Sequence, residues 1–516
     1  MSLPILDTPL SASPAWPALR DARWDPALEP AMIASSARDA LLARLRAPGA
    51  LAVTTGQQPG LFTGPAYSIS KALSARALAH LLEQRWGRPV VPIYWVPGDD
   101  HDLREVASVS WLDSDGKLVT ATLPARAPDA PLTPLWREPL GDAVLPLLDA
   151  FERSFAADTA GPTVAWLRRH YRPDATVASA FGTALAELLA PLGVLCLDSA
   201  HAAVKRAAAP LLLRALDDAA GLDALLAARS RELLATGADP GVQVGEGAAL
   251  VFLEGELGRD RLVADGNGLQ TRRSRARFSR AELARIAAAE PLRLSANVLL
   301  RPVLESALLP TVAYVAGPGE LRYLALAQPL YAKLGVTPQL PVPRWSGLLV
   351  EPYVTRILGK FGARIEALLD DSASLEASIT RQAYPEGTEA AFAELRAAIE
   401  HGYQPVIGAT RAVDPTLERP AEAAKGRALH GVEQLARKLA QHARRRERVE
   451  LSQIARARLS VRPEGSAQER VLSMSGFLAR YGPGILDELA RHILDWYSRV
   501  LEATPATVTD SPRLPT

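Results

Sequence analysis

Two short segments concentrate the groups that could do chemistry. The first is residues 55–71, TGQQPGLFTGPAYSISK, and the second is Gly98-Asp99-Asp100-His101-Asp102. In the first, Gly56 and Gly60 allow the main chain to approach a ligand closely, and Gln57 and Gln58 offer amides to hydroxyls or carboxylates. Thr63 and Gly64 stand where a helix would begin, and a helix N-terminus favours anions. Lys71 falls inside that helix, as a cation reaching toward a phosphate or carboxylate or as an ordinary solvated lysine. In the second, three carboxylates surround one imidazole. Such a group is costly unless solvated, paired or bound to a cation. His101 could act as general base or metal ligand, and a neighbouring carboxylate, Asp100 or Asp102, would orient its ring and raise its pKa. Plainer readings stand beside these: a strand-to-helix turn capped by threonine, and acids capping the next helix.

Several site classes are disfavoured. The glycine segment is neither GxGxxG nor GxxxxGK[ST], so neither a standard dinucleotide site nor a P-loop is supported. No second histidine or cysteine sits at ligand spacing from His101, so a structural zinc site is disfavoured and no metal ligands are assigned, while a metal requirement stays open at this level. The single cysteine, Cys196, lies in an apolar run and reads as an inert core thiol.

Farther along, Gly317-Pro-Gly-Glu320 is a second glycine turn that could present backbone N–H groups to an anion, with Glu320 and Tyr323 at the start of the following helix. As a lone motif it reads equally as helix initiation. Asn297 and Arg301 stand four apart. On a helix they would share a face, where Arg301 could clamp a carboxylate or simply pair with Glu305. Residues 272–280 hold five arginines and one aromatic, Phe278, and read as a solvated basic loop.

The elements that must position these groups follow from apolar patterning. Residues 51–54 and 90–96 read as buried strands with a helix at 66–86 between them, a βαβ unit. Polar residues gather where its strands end, as ligand sites do in open α/β sheets. Strand-like runs at 106–112 and 117–123 flank the turn Asp113-Ser-Asp-Gly116, and 124–139 reads as a loop. Helical patterning covers 145–170, 183–189 and 202–216, with a central strand at 193–198. A hairpin is predicted at 249–254 and 261–265, then strands at 311–315 and 337–342. Strand signals stop near residue 348. The first 35 residues, with several prolines, read as a loosely structured lead-in. This gives an α/β core, residues 1–345, and a helical region, 346–516. Within the latter, about 415–460 is expected to form a helical arm on which Val432, Leu435, Leu439 and His442 keep a short coiled-coil spacing, followed by a C-terminal helical segment that returns to the core.

The chain of 516 residues balances 58 basic against 57 acidic side chains, so nothing global calls for nucleic acid or an anionic membrane. No apolar run approaches the roughly 20 residues that span a bilayer. That, one cysteine and the lack of a basic start followed by an apolar stretch point to a cytoplasmic protein.

Four blocks taken in order resemble the BshC family, the cysteine ligases of bacillithiol biosynthesis. They are TGQQPGLFTGPAYSISKALSA, VVPIYWVPGDDHDLREV, SANVLLRPVLESALLPTVAYVAGPGELRYLA and RPEGSAQERVLSMSGFLARYGP. The resemblance implies a Rossmann-like core with connecting segments and a coiled-coil region that makes a homodimer. It also implies a reaction, in which cysteine is joined through an amide to the amine of glucosaminyl-malate, with ATP or another nucleotide expected to activate the carboxylate. On that reading Thr63, Gly64 and Lys71 hold a phosphate or malate carboxylate, with Gln57 and Gln58 beside them. Asp100, His101 and Asp102 handle the proton leaving the amine, and Asn297, Arg301, Gly317, Gly319, Glu320 and Tyr323 complete the pocket. Gly465, Gln468 and Arg470 are either a second nucleotide-contacting surface or a turn docking the arm. The chain departs from the family pattern in Asp99, where glutamate is usual, and in Ala316, where a further glycine is common. Two rival functions remain at this level: a non-catalytic scaffold binding a thiol sugar or nucleotide, and a nucleotidyltransferase acting on another small acid.

Overall fold

The computed structural model describes residues 3–10, 12–245, 247–265, 268–370, 372 and 374–503. The end of the predicted helical region, 504–516, lies outside the described residues. Two compact units form: residues up to Leu349 together with those from Gln468 onward, and Val350–Ala467. In chain order the strands are β1 (Ile5–Asp7), β2 (Leu51–Gly56), β3 (Val90–Val96), β4 (Ser108–Leu112), β5 (Leu118–Thr122), β6 (Leu195–Asp198), β7 (Ala248–Gly255), β8 (Gly258–Asp265), β9 (Gly268–Thr271), β10 (Arg277–Phe278), β11 (Leu294–Ala296), β12 (Thr311–Ala316), β13 (Leu340–Pro343) and β14 (Gly347–Leu349).

The first unit is built on a five-stranded parallel sheet of order β13-β12-β2-β3-β6. Every residue of β2 and β3 is buried, which is why both read as continuous apolar runs. One face packs on Leu28, Met32, Leu41, Leu42 and Leu45, which meet Ala52, Val91, Ile93, Trp95 and Leu197. The other face carries the Tyr67–Trp86 helix, itself covered by the Gly484–Glu502 helix. A helix enclosed on both sides buries residues all round, here Ser68, Lys71 and Ser74 as well as its alanines and leucines. The chain winds from β2 to β3 and β6 on one side, then returns to place β12 and β13 on the other. The order therefore reverses between β2 and β12, and the carboxyl ends of these two strands frame a crevice.

Between β6 and β12 the chain inserts an antiparallel sheet of order β10-β9-β8-β7-β11. It packs through Leu250, Leu253, Leu262 and Leu294 on the Ala202–Asp217 and Ala219–Ala235 helices. From Gln468 the chain re-enters this unit. The Gln468 amide accepts from Leu349 N at 2.9 Å and donates to Leu349 O at 2.9 Å, imitating a strand neighbour. Glu469 forms a two-pronged buried ion pair with Arg344, at 2.6 and 2.7 Å.

The second unit is helical. Its two longest helices, Thr388–Val413 and Glu418–Arg446, pack on each other across a short Pro415–Leu417 turn. The arm expected as one stretch breaks at Glu447, after which Arg448–Val461 follows.

Four local expectations are corrected. The described part of the lead-in is tied to the core: β1 pairs antiparallel with β14, and Leu28 and Met32 anchor the Pro26–Ala31 turn. The pattern at 145–170 is two helices, Val144–Arg153 and Ala157–His170. The strand expected from 106 begins at Ser108, because Asp102 caps a one-turn helix, Leu103–Val106. The strand expected at 337–342 is Leu340–Pro343.

Candidate active site

The glycine segment leaves β2 and makes a tight, strained loop before its helix starts at Tyr67. Phe62 and Thr63 hold φ of 49° and 71°, in the left-handed region that non-glycine residues avoid. Their neighbourhood enforces it. The Tyr171 hydroxyl accepts from Thr63 N at 2.8 Å and donates to Gly60 O at 3.2 Å. The Phe62 ring packs edge-on against Tyr171 and Phe151. Gly60 is required by closeness, since a Cβ there would stand 2.9 Å from Gly64 Cα. Thr63 and Gly64 thus build the loop, and the Thr63 N–H expected for an anion is spent on a phenol.

Lys71 is corrected from a solvated lysine to a buried one, 1% exposed. Its ammonium donates to Gly56 O at the end of β2, to Gln57 Oε1 at 3.3 Å and to Glu320 Oε2 at 2.5 Å. Glu320 comes from the turn after β12, so this pair ties together the two strands of the switch point. The same carboxylate accepts from Gly317 N at 2.7 Å and from the Tyr314 hydroxyl at 2.7 Å. The Gly317 turn therefore holds an anion, but the anion is the protein's own Glu320. Burial alone would raise Glu320, but Lys71, the Gly317 N–H and Arg301 together hold it below the usual carboxylate range. Arg301 completes the cluster. It donates to the hydroxyls of Tyr323 and Tyr314 at 3.0 and 3.3 Å and to Glu305 at 2.9 Å.

Beside this cluster opens a cavity of about 460 Å³. Gln57, Gln58, Asp100, Asn297, Arg301, Glu320 and Tyr323 all line it, so the structure brings seven of the sequence-predicted residues together. Asn297 does so as a cap rather than on a shared helix face. Its Oδ1 accepts from Leu299 N and Leu300 N at 3.1 and 2.9 Å, and Arg301 opens the helix that follows. Thr63, Gly64, Lys71, His101, Asp102, Gly317 and Gly319 are not in the lining. Neither are Gly465, Gln468 and Arg470; Arg470 lies over the Tyr67 ring at 5.8 Å.

The acidic-histidine run divides its labour. Asp99 pairs with buried Lys205, which also donates to Leu294 O at 3.0 Å. Asp100 accepts from the Gln58 amide at 2.5 Å and from the backbone N–H of His101 and Asp102 at 2.7 and 3.2 Å. Burial works to raise its pKa, yet Gln58, Arg259 and those N–H groups hold it below the usual value. Asp102 caps its own short helix, accepting from Arg104 N at 3.0 Å. For His101 the expected upward shift is reversed: burial and the nearby Arg259 lower its pKa, against the weaker pull of Asp100 and Asp102.

Sequence reasoning found Arg301 but missed the other three cations of the wall, Lys205, Arg259 and Arg261. Lys205 meets Asp99 across 106 residues and Arg259 meets His101 across 158. Arg259 is held by Ser295 Oγ at 2.9 Å and Ala296 O at 2.7 Å, and its guanidinium lies 3.9 Å over the Phe252 ring. The only sequence signal was a pair of arginines facing one way on a hairpin strand, at 259 and 261. Cys196, buried in β6, has its thiol pushed up by burial, as befits an inert core residue. Among the described residues no cluster of three or more potential metal ligands occurs, and no helix is long and apolar enough to cross a membrane.

Residues 29–345 match the N-terminal Rossmann-like domain of bacillithiol biosynthesis BshC, and residues 347–496 match its C-terminal coiled-coil domain. A protein named "Putative cysteine ligase BshC" from Koribacter versatilis is 35% identical over 86% of this chain and 81% of its own. Proteins of the same name from Symbiobacterium thermophilum and Salinibacter ruber are 32% and 31% identical, each over 87% of this chain and 82% of theirs. With a Rossmann-like parallel sheet and a coiled-coil region matched in order over most of its length, this chain belongs to the BshC family of bacillithiol biosynthesis.

Proposed function

We propose that this protein is a ligase that joins cysteine to glucosaminyl-malate through an amide bond, completing bacillithiol. The observation that carries the reading is the switch-point cavity, where Lys205, Arg259, Arg261 and Arg301 face Asp99, Asp100 and Glu320. The cations complement the two malate carboxylates, and the carboxylates complement the amines of glucosamine and cysteine. Arg301, anchored by two tyrosine hydroxyls and Glu305, presents a fixed guanidinium for a carboxylate. Asp100, held ionised by its hydrogen bonds, receives and orients the attacking amine. Closure of substrates against these largely half-buried groups strengthens each charge interaction by excluding water.

Amide formation from a free carboxylate needs activation, which ATP or another nucleotide would supply. The residues first considered for its phosphates do not fit that use. Thr63 N is engaged by Tyr171, Gly317 N by Glu320, and the Gln468 amide by Leu349. No step is therefore assigned to a nucleotide. The reading includes a cytoplasmic location, supported by the single buried thiol, and a homodimer made through the helical unit. Its test is incubation of the purified protein with glucosaminyl-malate, cysteine and each candidate nucleotide, followed by mass analysis. A product of bacillithiol mass supports the ligase. Tight glucosaminyl-malate binding with no product under any nucleotide contradicts it in favour of a scaffold.

A further inference from the structure

The acidic-histidine run contains a decision about one proton. The His101 Nδ1 atom stands 3.2 Å from Arg259 Nη1 and 3.9 Å from Asp100 Oδ1. The first distance is a hydrogen bond and the second is too long to be one. A guanidinium has N–H donors and no acceptor, so the partner nitrogen must offer its lone pair. Arg259 has little freedom to turn away. Its Nε donates to Ser295 Oγ, its Nη2 donates to Ala296 O, and its plane lies on Phe252. Asp100, the competing acceptor for an Nδ1 proton, has its Oδ1 engaged by the backbone N–H groups of His101 and Asp102.

We infer that Arg259 is a positioning residue that fixes His101 in the tautomer protonated on Nε2, making its imidazole a hydrogen-bond donor rather than a general base. This rests on the ligase reading for its catalytic meaning, though not for its geometry. In amide formation an imidazole so held cannot take the proton of the attacking amine, which falls instead to Asp100, a member of the run that lines the cavity. The groups facing the ring agree. Burial and then Arg259 from the antiparallel sheet oppose a positive charge on the ring most strongly; Asp100 and Asp102 favour it, and Arg126, which donates to His101 O at 2.7 Å, opposes it least.

The experiment is long-range ¹⁵N–¹H correlation NMR of the full chain labelled at its eight histidines, with His101 assigned by the signal lost in His101→Gln. The expected result, at a pH above the His101 titration, is an unprotonated Nδ1 and a protonated Nε2. A protonated Nδ1 in the unaltered protein overturns the proposal, and that reading needs no variant to fold. Arg259→Lys, which keeps a donor, is expected to keep the signature. Arg259→Gln is expected to raise the His101 titration midpoint by removing the facing charge; an unmoved midpoint in a folded variant also overturns it. Because no substrate is present, these outcomes are independent of whether the ligase assay yields product.

Discussion

Lys71 is the residue on which the site's geometry turns, because it joins the end of β2 to the turn after β12 from inside a covered helix. Replacing it with methionine removes the partner of an ionised carboxylate, and breaking a buried pair in this way costs about 3–5 kcal/mol. Denaturant unfolding should show that loss for Lys71→Met, with part of it recovered when Glu320→Gln is added. Fully additive losses would mean the pair is not the interaction removed. Glu305 makes a second prediction. It is fully buried, and burial, only partly offset by Arg301, raises its carboxyl to about 7 from an ordinary 4.5. A carboxyl that titrates higher when folded adds stability at low pH, and that contribution is lost as pH rises through 7. Between pH 5 and pH 8 the unaltered protein should lose up to about 3 kcal/mol that Glu305→Gln does not lose. Equal pH slopes in both proteins would contradict this. At this scale the sequence was readable where polar residues sat next to strand ends, as with Gln57, Gln58, Asp100 and Glu320. It was silent on Lys205 and Arg259, whose partners are more than a hundred residues away. It misjudged Lys71 because exposure rules ignore a helix covered on both faces.

The strained loop between β2 and its helix works as an element. Its left-handed Phe62 and Thr63 are stabilised by one phenol, so Tyr171→Phe leaves a buried N–H and C=O without that partner. The expected cost is about 1–3 kcal/mol in thermal or denaturant unfolding, and an unchanged stability would show that the loop holds itself. Gly56→Ala should be worse tolerated than its strand position suggests, since the new Cβ would meet Trp95 O at 2.6 Å across the β2–β3 pair. The βαβ unit was legible from apolar runs: the strand at Val90–Val96 and the helix ending at Trp86 stand where periodicity put them. The β1–β14 pairing was not, because two three-residue strands more than three hundred residues apart carry no local signal.

Across the whole molecule, the parallel core and the coiled-coil region are family features that composition and order made readable. The expected return of a C-terminal helical segment to the core is present from Gln468 onward; what the sequence did not convey is how it is made, through Gln468 on Leu349, Glu469 on Arg344 and Tyr497 on Pro343. On the helical unit Leu435 and Val449 are 56% and 61% exposed, which is consistent with the proposed pairing of two copies. Sedimentation should give a dimer for the unaltered protein and a monomer for Leu435→Glu combined with Val449→Glu; a monomer from the start would remove the dimer from the account. The central claim is that the switch-point cavity forms the amide, and the most direct test is the rate of bacillithiol appearance by mass in the unaltered protein beside Arg301→Met. Product is expected from the first and a rate about 100-fold or more lower from the second, as for loss of a fixed cation that stabilises charge in the transition state. Equal rates from two folded proteins would contradict it.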